Sequence, residues 1–413
     1  MDERKQPPDA GLLAQDEELE RFDPALLTQP AAMRLAWFEK ECTIEHTSLL
    51  QALETILRTV CSPGEGESLN RLGTMALVIG PARVGKTTLI RLLEQRLLER
   101  ARDRMLRDPS HFPFVSVSAT GPGSGRFDWV DYYTAVLRQV NDPFLDRKTR
   151  ATRVRDLREA MEEALIQHQP YAVIVDETHH LAKAASGRTL QDQLDHLKYL
   201  ENRTGVCHVL VGTYEMRPFR KVNAQLTGRS IDVHFPRYDA TKQKDREEFR
   251  SVLWALQRQL PVEEEPLLAE QHWEMLYARS IGCIGLLKLH LIRALALALS
   301  LEARTLTEAH LRATALPEDR VKEMLSAAPS GEADLAEPEG ADERLLALLG
   351  LRESEAAVKA RETASGARQD RPTPTPQARG RRPGDRVPGR DSISAHAGAE
   401  QSSRDEGGER AVG

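Results

Sequence analysis

Short apolar runs alternate with amphipathic stretches along the first two thirds of the chain. Four runs have the composition of buried strands, namely residues 76–79, 112–119, 171–176 and 207–213. Apolar residues recur at helical spacing in the intervening segments 89–100, 128–140, 150–168 and 190–202. Strands that alternate with helices need crossover connections. The pattern therefore predicts an α/β fold, with a parallel sheet covered by helices on both faces.

The pattern changes on both sides of this α/β region. Residues 1–66 form an N-terminal extension with a polar, acidic start and two predicted helices at 31–40 and 46–60, which we expect to pack beside the α/β domain. After the α/β domain, residues 67–240, only amphipathic helices remain, at 244–260, 267–279, 285–301 and 307–315. Thr307 is the expected N-cap of the last of these helices. We expect a small helical domain over residues 241–318. Residues 319–413 are rich in Gly, Pro, Ser, Arg and Glu, which predicts a mostly disordered tail.

Composition limits the possible environments and partners. The net charge of -6 argues against a polycation that coats nucleic acid, so DNA contacts would need local patches such as Arg126 and the basic run from Arg147 to Arg155. Such charge runs are also common on solvated surfaces. The 4 cysteines are scattered without a CxxC pair, which predicts neither disulfides nor a cysteine zinc site. Without a signal peptide or a run of roughly 20 apolar residues, we expect a cytoplasmic protein that does not bind membranes.

The most specific motif is the segment from Gly80 to Thr88, which follows the first strand and opens a helix. It fits GxxxxGK[ST], a loop whose backbone N–H groups surround a polyphosphate. Lys86 is expected to reach the β- and γ-phosphates, and Thr87 to bind Mg²⁺. We predict a site for ATP and Mg²⁺ in which the nucleotide contacts the whole loop: Gly80, Pro81, Ala82, Arg83, Val84, Gly85, Lys86, Thr87 and Thr88.

An acidic pair closes the third strand. Asp176 is expected to help hold Mg²⁺, while Glu177 acts as general base for the attacking water. The alternative is a chance acidic pair that caps a helix. A zinc site on His179 and His180 would need further ligands, and the sequence shows none at suitable spacing, so we expect these histidines to pack or hydrogen-bond beside Glu177. A DExH helicase is excluded, because Ser118-Ala-Thr120 precedes this strand, whereas the helicase motif follows it.

Three further polar residues are candidates for nucleotide sensing. Thr213 ends the fourth strand and could hydrogen-bond the γ-phosphate or the attacking water, unless it is a turn threonine. Arg229 could stabilise the γ-phosphate of a neighbouring subunit, although surface arginines are common. Lys288, near the start of a helix in the 241–318 domain, could lie over the phosphates, or it could simply be solvated.

Together these motifs resemble the ordered set of an AAA+ ATPase. The stretch from Val173 to Leu181, the segment Val209-Leu-Val-Gly-Thr-Tyr-Glu and Gln225-Leu-Thr-Gly-Arg, with Arg34-Leu-Ala-Trp37 upstream, resemble the TniB/TnsC family of transposition regulators. Departures are Thr178, where a small apolar residue is usual, Tyr238, where tryptophan is expected, and the long tail. The resemblance implies an AAA+ P-loop core with a helical lid.

The resemblance also implies a mechanism and partners. ATP-bound subunits would form a ring or helical filament on double-stranded DNA, without sequence specificity, with each nucleotide completed by Arg229 of a neighbour. The assembly would recruit a transposase and a TniQ-like adaptor, and hydrolysis would drive disassembly. Two alternatives remain open: a replication initiator or helicase loader of the AAA+ class, and an ATP-binding scaffold that hydrolyses little.

Overall fold

A computed structural model of the 413-residue chain describes residues 21–61, 75–121, 127–141, 153–183, 188–222, 230–335 and 340–351. The chain divides into two units, Met1–Ala336 and Glu337–Gly413. Everything that positions the candidate site belongs to the first unit. Of the second unit, the structure describes one short helix.

The centre of the first unit is a parallel sheet. Its strands are β1 (Met75–Ile79), β2 (Phe114–Ser118), β3 (Ala172–Asp176), β4 (Cys207–Gly212) and β5 (Ser230–His234), in the order β2-β3-β4-β1-β5. Every pairing is parallel. Because β4 lies between β1 and β3, the loops after these three strands meet at the same edge of the sheet. The predicted α/β class and the four predicted strands are confirmed, whereas β5 was not among the predicted elements.

Within the described residues, every predicted helix is present, together with four others that the pattern did not predict. The helices are α1 (Ala31–Lys40), α2 (Thr47–Val60), α3 (Lys86–Arg107), α4 (Trp129–Gln139), α5 (Val154–His168), α6 (His179–Lys183), α7 (Arg188–Thr204), α8 (Arg217–Val222), α9 (Gln243–Arg258), α10 (Leu268–Gln271), α11 (Trp273–Ser280), α12 (Ile284–Ser300), α13 (Glu308–Thr314), α14 (Glu318–Leu335) and α15 (Ala341–Leu348). The helix predicted at 267–279 is interrupted at His272, which separates α10 from α11.

Side chains from alternate positions of the strands fill two cores, one on each face of the sheet. Met75, Leu77 and Ile79 of β1 contribute to the core that includes residues of α4, α5 and α7. Ala76 and Val78 point to the other face, where α2 and α3 cover them. This alternation explains why β1 reads as a continuous apolar run: all five of its residues are buried.

Helices α9 to α13, named here the lid, share a third core that also includes α1. Residues of α9, α12 and α13 pack with Phe38 of α1, which is fully buried. We expected both N-terminal helices beside the nucleotide-binding part, but only α2 packs against the sheet. Thr307 caps α13 as expected, and His310 completes the capping box.

The expected start of disorder at residue 319 differs from the structure. Helix α14 occupies Glu318–Leu335 and packs back onto the sheet domain, where Leu335 contacts the core around Tyr214. Composition did not indicate this helix, because the segment contains Pro329 and Gly331 and gains its stability from packing. In the second unit, α15 follows Gly340, whose φ of 73° suits glycine.

No single helix within the described ranges has both the length and the apolar composition of a membrane span, although α11 and α12 taken together pass the same test with a 115° bend between them.

Candidate nucleotide-binding site

The loop between β1 and α3 has the tight backbone that the sequence motif predicts. A Cβ on Gly80 would lie 2.2 Å from the carbonyl oxygen of Phe235, so only glycine allows this approach of the loop to the end of β5. Gly85 precedes α3 with a φ of +124°, a conformation that other residues rarely adopt. Arg83 also has positive φ, at 62°. The loop therefore curls back over the start of its own helix.

The side chain of Lys86 lies along this loop. Its Nζ donates to the carbonyl oxygens of Gly80, at 3.2 Å, and Pro81, at 2.7 Å. Burial lowers the pKa of Lys86, while the negative charges of Glu177 and Asp176 act in the opposite direction. The ammonium group and the acidic pair thus share one electrostatic environment at the edge of the sheet.

The other loop residues predicted to contact nucleotide differ in accessibility. Pro81 and Val84 are buried, and Thr88 is half-buried. Ala82, Arg83 and Thr87 are exposed, so the Thr87 hydroxyl in the first turn of α3 is accessible to a cation.

Asp176 and Glu177 end β3 in different environments. Burial is the main cause that raises the pKa of Asp176, while the Glu177 N–H donates to its Oδ1 at 2.7 Å and lowers that pKa. Glu177 has a φ of 55°, and its side chain is half-exposed. A hydroxyl and carboxylate oxygens are the ligands that Mg²⁺ prefers, so Thr87 and Asp176 fit this ion chemically. A cation beside Asp176 would also offset the cost of burying its charge.

Thr178 accounts for one departure from the family pattern. It is fully buried, and its hydroxyl donates to the carbonyl oxygen of Val175 at 2.7 Å. Its N–H donates to Val211 of β4 at 2.9 Å. The polar residue is therefore satisfied where an apolar one is usual, and it ties the acidic turn to the neighbouring strand.

A chain of polar contacts connects Glu177 with Thr213. The Nδ1 atom of His179 is 3.2 Å from Glu177 Oε2, and its Nε2 atom is 3.8 Å from Glu215 Oε2. Thr213 contacts the same glutamate: its hydroxyl is 3.5 Å from Glu215 Oε2 and accepts from the Glu215 N–H at 3.4 Å. The predicted base and the predicted sensor are thus joined through His179 and Glu215, a link that the sequence did not indicate.

The lid touches the loop through Gly285 rather than through Lys288. A Cβ on Gly285 would lie 2.4 Å from the carbonyl oxygen of Arg83, so the start of α12 lies directly against the loop. Lys288 instead donates to the carbonyl oxygens of Glu39, at 3.0 Å, and Cys42, at 2.6 Å. These contacts join α12 to the end of α1. Binding of phosphate by Lys288 stays a prediction, and it would require the side chain to leave both carbonyls.

An aromatic group behind the loop was missed by the sequence reasoning. The ring of His46 stacks on Phe235 with centroids 6.2 Å apart, and its Nδ1 is 2.9 Å from the hydroxyl of Tyr238. Phe235 also lies 3.8 Å from a Cβ built on Gly85. Tyr238 is the second departure from the TniB/TnsC pattern. Its hydroxyl contacts the ring of His46, which lies between the N-terminal segment and the loop.

Several predicted residues lie outside the described part of the chain. They are Arg229, Arg126, and the portion of the basic run from Arg147 to residue 152. Of that run, Arg153 precedes α5, and Arg155 forms an exposed ion pair with Glu159 at 2.7 Å.

One family model matches the part of the chain that contains this candidate site. Residues 70–219 match the family described as "AAA domain". No curated protein matches the chain. Solved structures that resemble it include ORC2 of Aeropyrum pernix in ADPNP-ADP complexes, with 17% identity, a TM-score of 0.47 and 74% of each chain covered.

Two further structures are similar at the same level. ORC1 of Aeropyrum pernix in complex with DNA has 17% identity and a TM-score of 0.47, and covers 87% of this chain and 85% of its own. Cdc6p of Pyrobaculum aerophilum has 15% identity and a TM-score of 0.44, with 71% of each chain covered. Residues 70–219 thus match an AAA domain, and together with the parallel sheet and the P-loop this match shows that the chain has the α/β fold of AAA+ P-loop proteins.

Proposed function

We propose that this protein is an ATPase that regulates DNA transposition by assembling on target DNA in its ATP-bound form. The observation that carries the ATPase proposal is the placement of Lys86: it lies in the P-loop and within the electrostatic reach of Asp176 and Glu177. A phosphate-binding cation and an acidic pair at one sheet edge are the groups that phosphoanhydride hydrolysis requires.

Each group has a defined task. The backbone N–H groups of residues 82–86 and the ammonium of Lys86 bind the phosphates, because they are donors at a helix N-terminus. Thr87 and Asp176 would hold Mg²⁺, which supplies positive charge to the phosphate oxygens. Glu177 orients the attacking water and accepts its proton. The Glu177 carboxylate contacts His179 in this structure. It must exchange this contact for one with the attacking water before it can accept a proton.

Replacing Glu177 tests this assignment. Glu177→Gln keeps the shape but removes the base, so we expect ATP turnover to fall by about 10²-fold or more while ATP binding persists. Glu54→Gln is a matched control, since Glu54 is exposed and pairs with the exposed Arg58. Equal turnover in the native and Glu177→Gln proteins, with and without DNA, would instead favour the non-hydrolysing scaffold.

The transposition part of the proposal is supported by the TniB/TnsC resemblance. It assigns Arg229 to the site of a neighbouring subunit, so hydrolysis requires a ring or filament. Mixing two variants tests this arrangement: Arg229→Ala and Glu177→Gln should each be inactive alone. A mixture should regain turnover, because some interfaces combine an intact Glu177 with an intact Arg229. If the mixture stays inactive although both variants co-assemble, Arg229 does not act across an interface.

The proposed partners are double-stranded DNA, a transposase and a TniQ-like adaptor. Arg126 and the basic run from Arg147 to Arg155 are the candidate DNA contacts. Contacts to phosphates would make DNA affinity fall steeply as salt rises and depend little on sequence. Gel-shift and sedimentation measurements at several salt concentrations, with ATP or ADP, test this. A protein that stays monomeric with ATP and fails to shift DNA at low salt would contradict the proposal.

A replication initiator or helicase loader is the weaker alternative. We expect such a protein to carry a winged helix or helix-turn-helix after the lid. Within residues 316–335 and 340–351, the structure has only α14 and α15.

A further inference from the structure

Three potential metal ligands gather where β3 ends and α6 begins. Glu177, His179 and His180 each offer one ligand atom, and these atoms lie within 4.8 Å of one another. The sequence indicated no third ligand for the two histidines, because Glu177 was assigned to catalysis alone. The turn at Glu177, with its φ of 55°, brings all three together.

Distances within the cluster suit a tetrahedral ion. Zinc bonds of about 2.0–2.1 Å place neighbouring ligand atoms about 3.3 Å apart. The distance from His179 Nδ1 to Glu177 Oε2 is 3.2 Å. The rings of His179 and His180 have centroids 4.4 Å apart and an interplanar angle of 35°. Small side-chain rotations would therefore close the site, and the half-exposed carboxylate of Glu177 leaves a side open to solvent.

A second carboxylate orients one of the ligands. His179 directs Nε2 toward Glu215, 3.8 Å away, on the side opposite Glu177. Histidines that bind metals usually place their other ring nitrogen against a carboxylate or carbonyl, which fixes the ring and raises its basicity. Thr213 in turn contacts Glu215. The arrangement thus has an outer shell as well as candidate ligands.

Ion pairs of His179 with Glu177 and Glu215 would explain the position of His179, but they would not explain why His180 lies beside it. The Nδ1 atom of His180 is buried and has no hydrogen-bond partner among the residues that the structure describes. A ligand role would satisfy a ring nitrogen of this residue. Two imidazoles and one carboxylate favour zinc over Mg²⁺ or Ca²⁺, which prefer oxygen ligands throughout.

We propose that Glu177, His179 and His180 form a zinc site that inhibits hydrolysis. The binding part stands on the cluster alone, whereas the inhibition rests on the proposed function. An ion that holds the Glu177 carboxylate prevents it from accepting a proton from water, so zinc and turnover exclude each other. Glu215 is a positioning residue for this site.

Spectroscopy with Co²⁺ tests binding without any enzymatic assay. Chelator-treated protein without nucleotide should bind one Co²⁺ with the intense visible absorption of a tetrahedral complex, and zinc should displace it. His180→Ala should weaken binding by more than the roughly 10–100-fold typical of losing an outer-shell partner, and Glu215→Gln should fall within that range. His180→Gln, which keeps the side-chain size, guards against misfolding. His272→Ala, in the lid, should bind as the native protein does.

Turnover tests the inhibition. Zinc should suppress hydrolysis by the native and His272→Ala proteins, whereas His180→Ala should match native turnover in chelator and resist zinc. The metal site is refuted if Co²⁺ shows no tetrahedral signal, or if both His180 variants bind like the native protein. If His180-dependent binding occurs but no variant hydrolyses ATP, the site stands and the proposed function fails. If Glu177-dependent hydrolysis occurs without zinc binding, the proposed ATPase function stands and the zinc site fails.

Discussion

Gly285→Ala provides a direct test of how the lid contacts the P-loop. A Cβ at this position would lie 2.4 Å from the Arg83 carbonyl oxygen and 3.1 Å from its carbonyl carbon, whereas Cβ contacts below 3.0 Å essentially do not occur. The lid and the loop must therefore separate by at least about 0.6 Å, since neither contacting atom belongs to a flexible side chain.

Two effects of opposite sign decide the outcome. In a helix, alanine is favoured over glycine by up to about 1 kcal/mol, so the substitution would stabilise an unconstrained α12. Overpacking costs about 1–3 kcal/mol. We expect net destabilisation of up to about 2 kcal/mol, or a few degrees in Tm at about 2–4 °C per kcal/mol. ATP affinity should fall by on the order of tenfold, because the displaced Arg83 carbonyl belongs to the phosphate loop.

Thermal unfolding and calorimetric titration with ATP measure these effects. Gly121→Ala is the matched control, because there the nearest atom, His180 Cε1, would be 3.7 Å from the added methyl. A Gly285→Ala protein that unfolds at a higher temperature and binds ATP with native affinity would refute the direct contact between α12 and the loop.

Three further predictions concern buried residues and their partners. Gly80→Ala should reduce ATP affinity by at least about tenfold in calorimetric titration, since its Cβ would meet the Phe235 carbonyl oxygen at 2.2 Å; native affinity would contradict the close approach. Burial lowers the pKa of His46 to about 4, so the unfolded chain takes up a proton that the native state does not. The contribution of His46 to the free energy of unfolding is therefore complete above pH 6.5, and it falls by at most about 1.4 kcal/mol per pH unit as the pH is lowered toward 4. In urea unfolding at several pH values, His46→Gln should make the free energy of unfolding depend less on pH. An unchanged pH dependence would refute this. Glu332→Ala should lower the free energy of unfolding by about 1–3 kcal/mol in the same urea assay. It removes the carboxylate 2.9 Å from Nε of Arg237, whose side chain is only 12% exposed. Glu323→Ala is the control and should change little, because Glu323 pairs with Arg320 at an exposed position.

The sequence predicted the sheet and the place of the P-loop in it, because both depend on local signals. Strands β1, β3 and β4 are buried on both faces and read as apolar runs, and the P-loop motif requires residues that are contiguous in the chain. Strand β5 escaped detection because only Val233 of its five residues is buried. In an outermost strand such as β5, apolar patterning is weak.

Contacts between distant segments could not be predicted in the same way. Lys288 was expected near the phosphates from its place at a helix start, but its partners lie at the end of α1, far away in sequence. Glu215 carried no motif, and its link to His179 arises only because β3 and β4 are neighbours in the sheet. Such partners follow from tertiary packing rather than from spacing.

Helix α14 is anchored at both ends to different parts of the first unit. Near its start, Val321 and Met324 pack with Cys283 and Leu286 at the start of α12. Near its end, Gly331 lies so close to the ring of Tyr214 that a Cβ would be 2.3 Å from Cγ, and Arg217 binds Asp334 at 2.8 Å. The helix thus connects the lid to the end of β4, where Thr213 lies. Rotation of the lid must therefore either bend this helix or pull on that strand end.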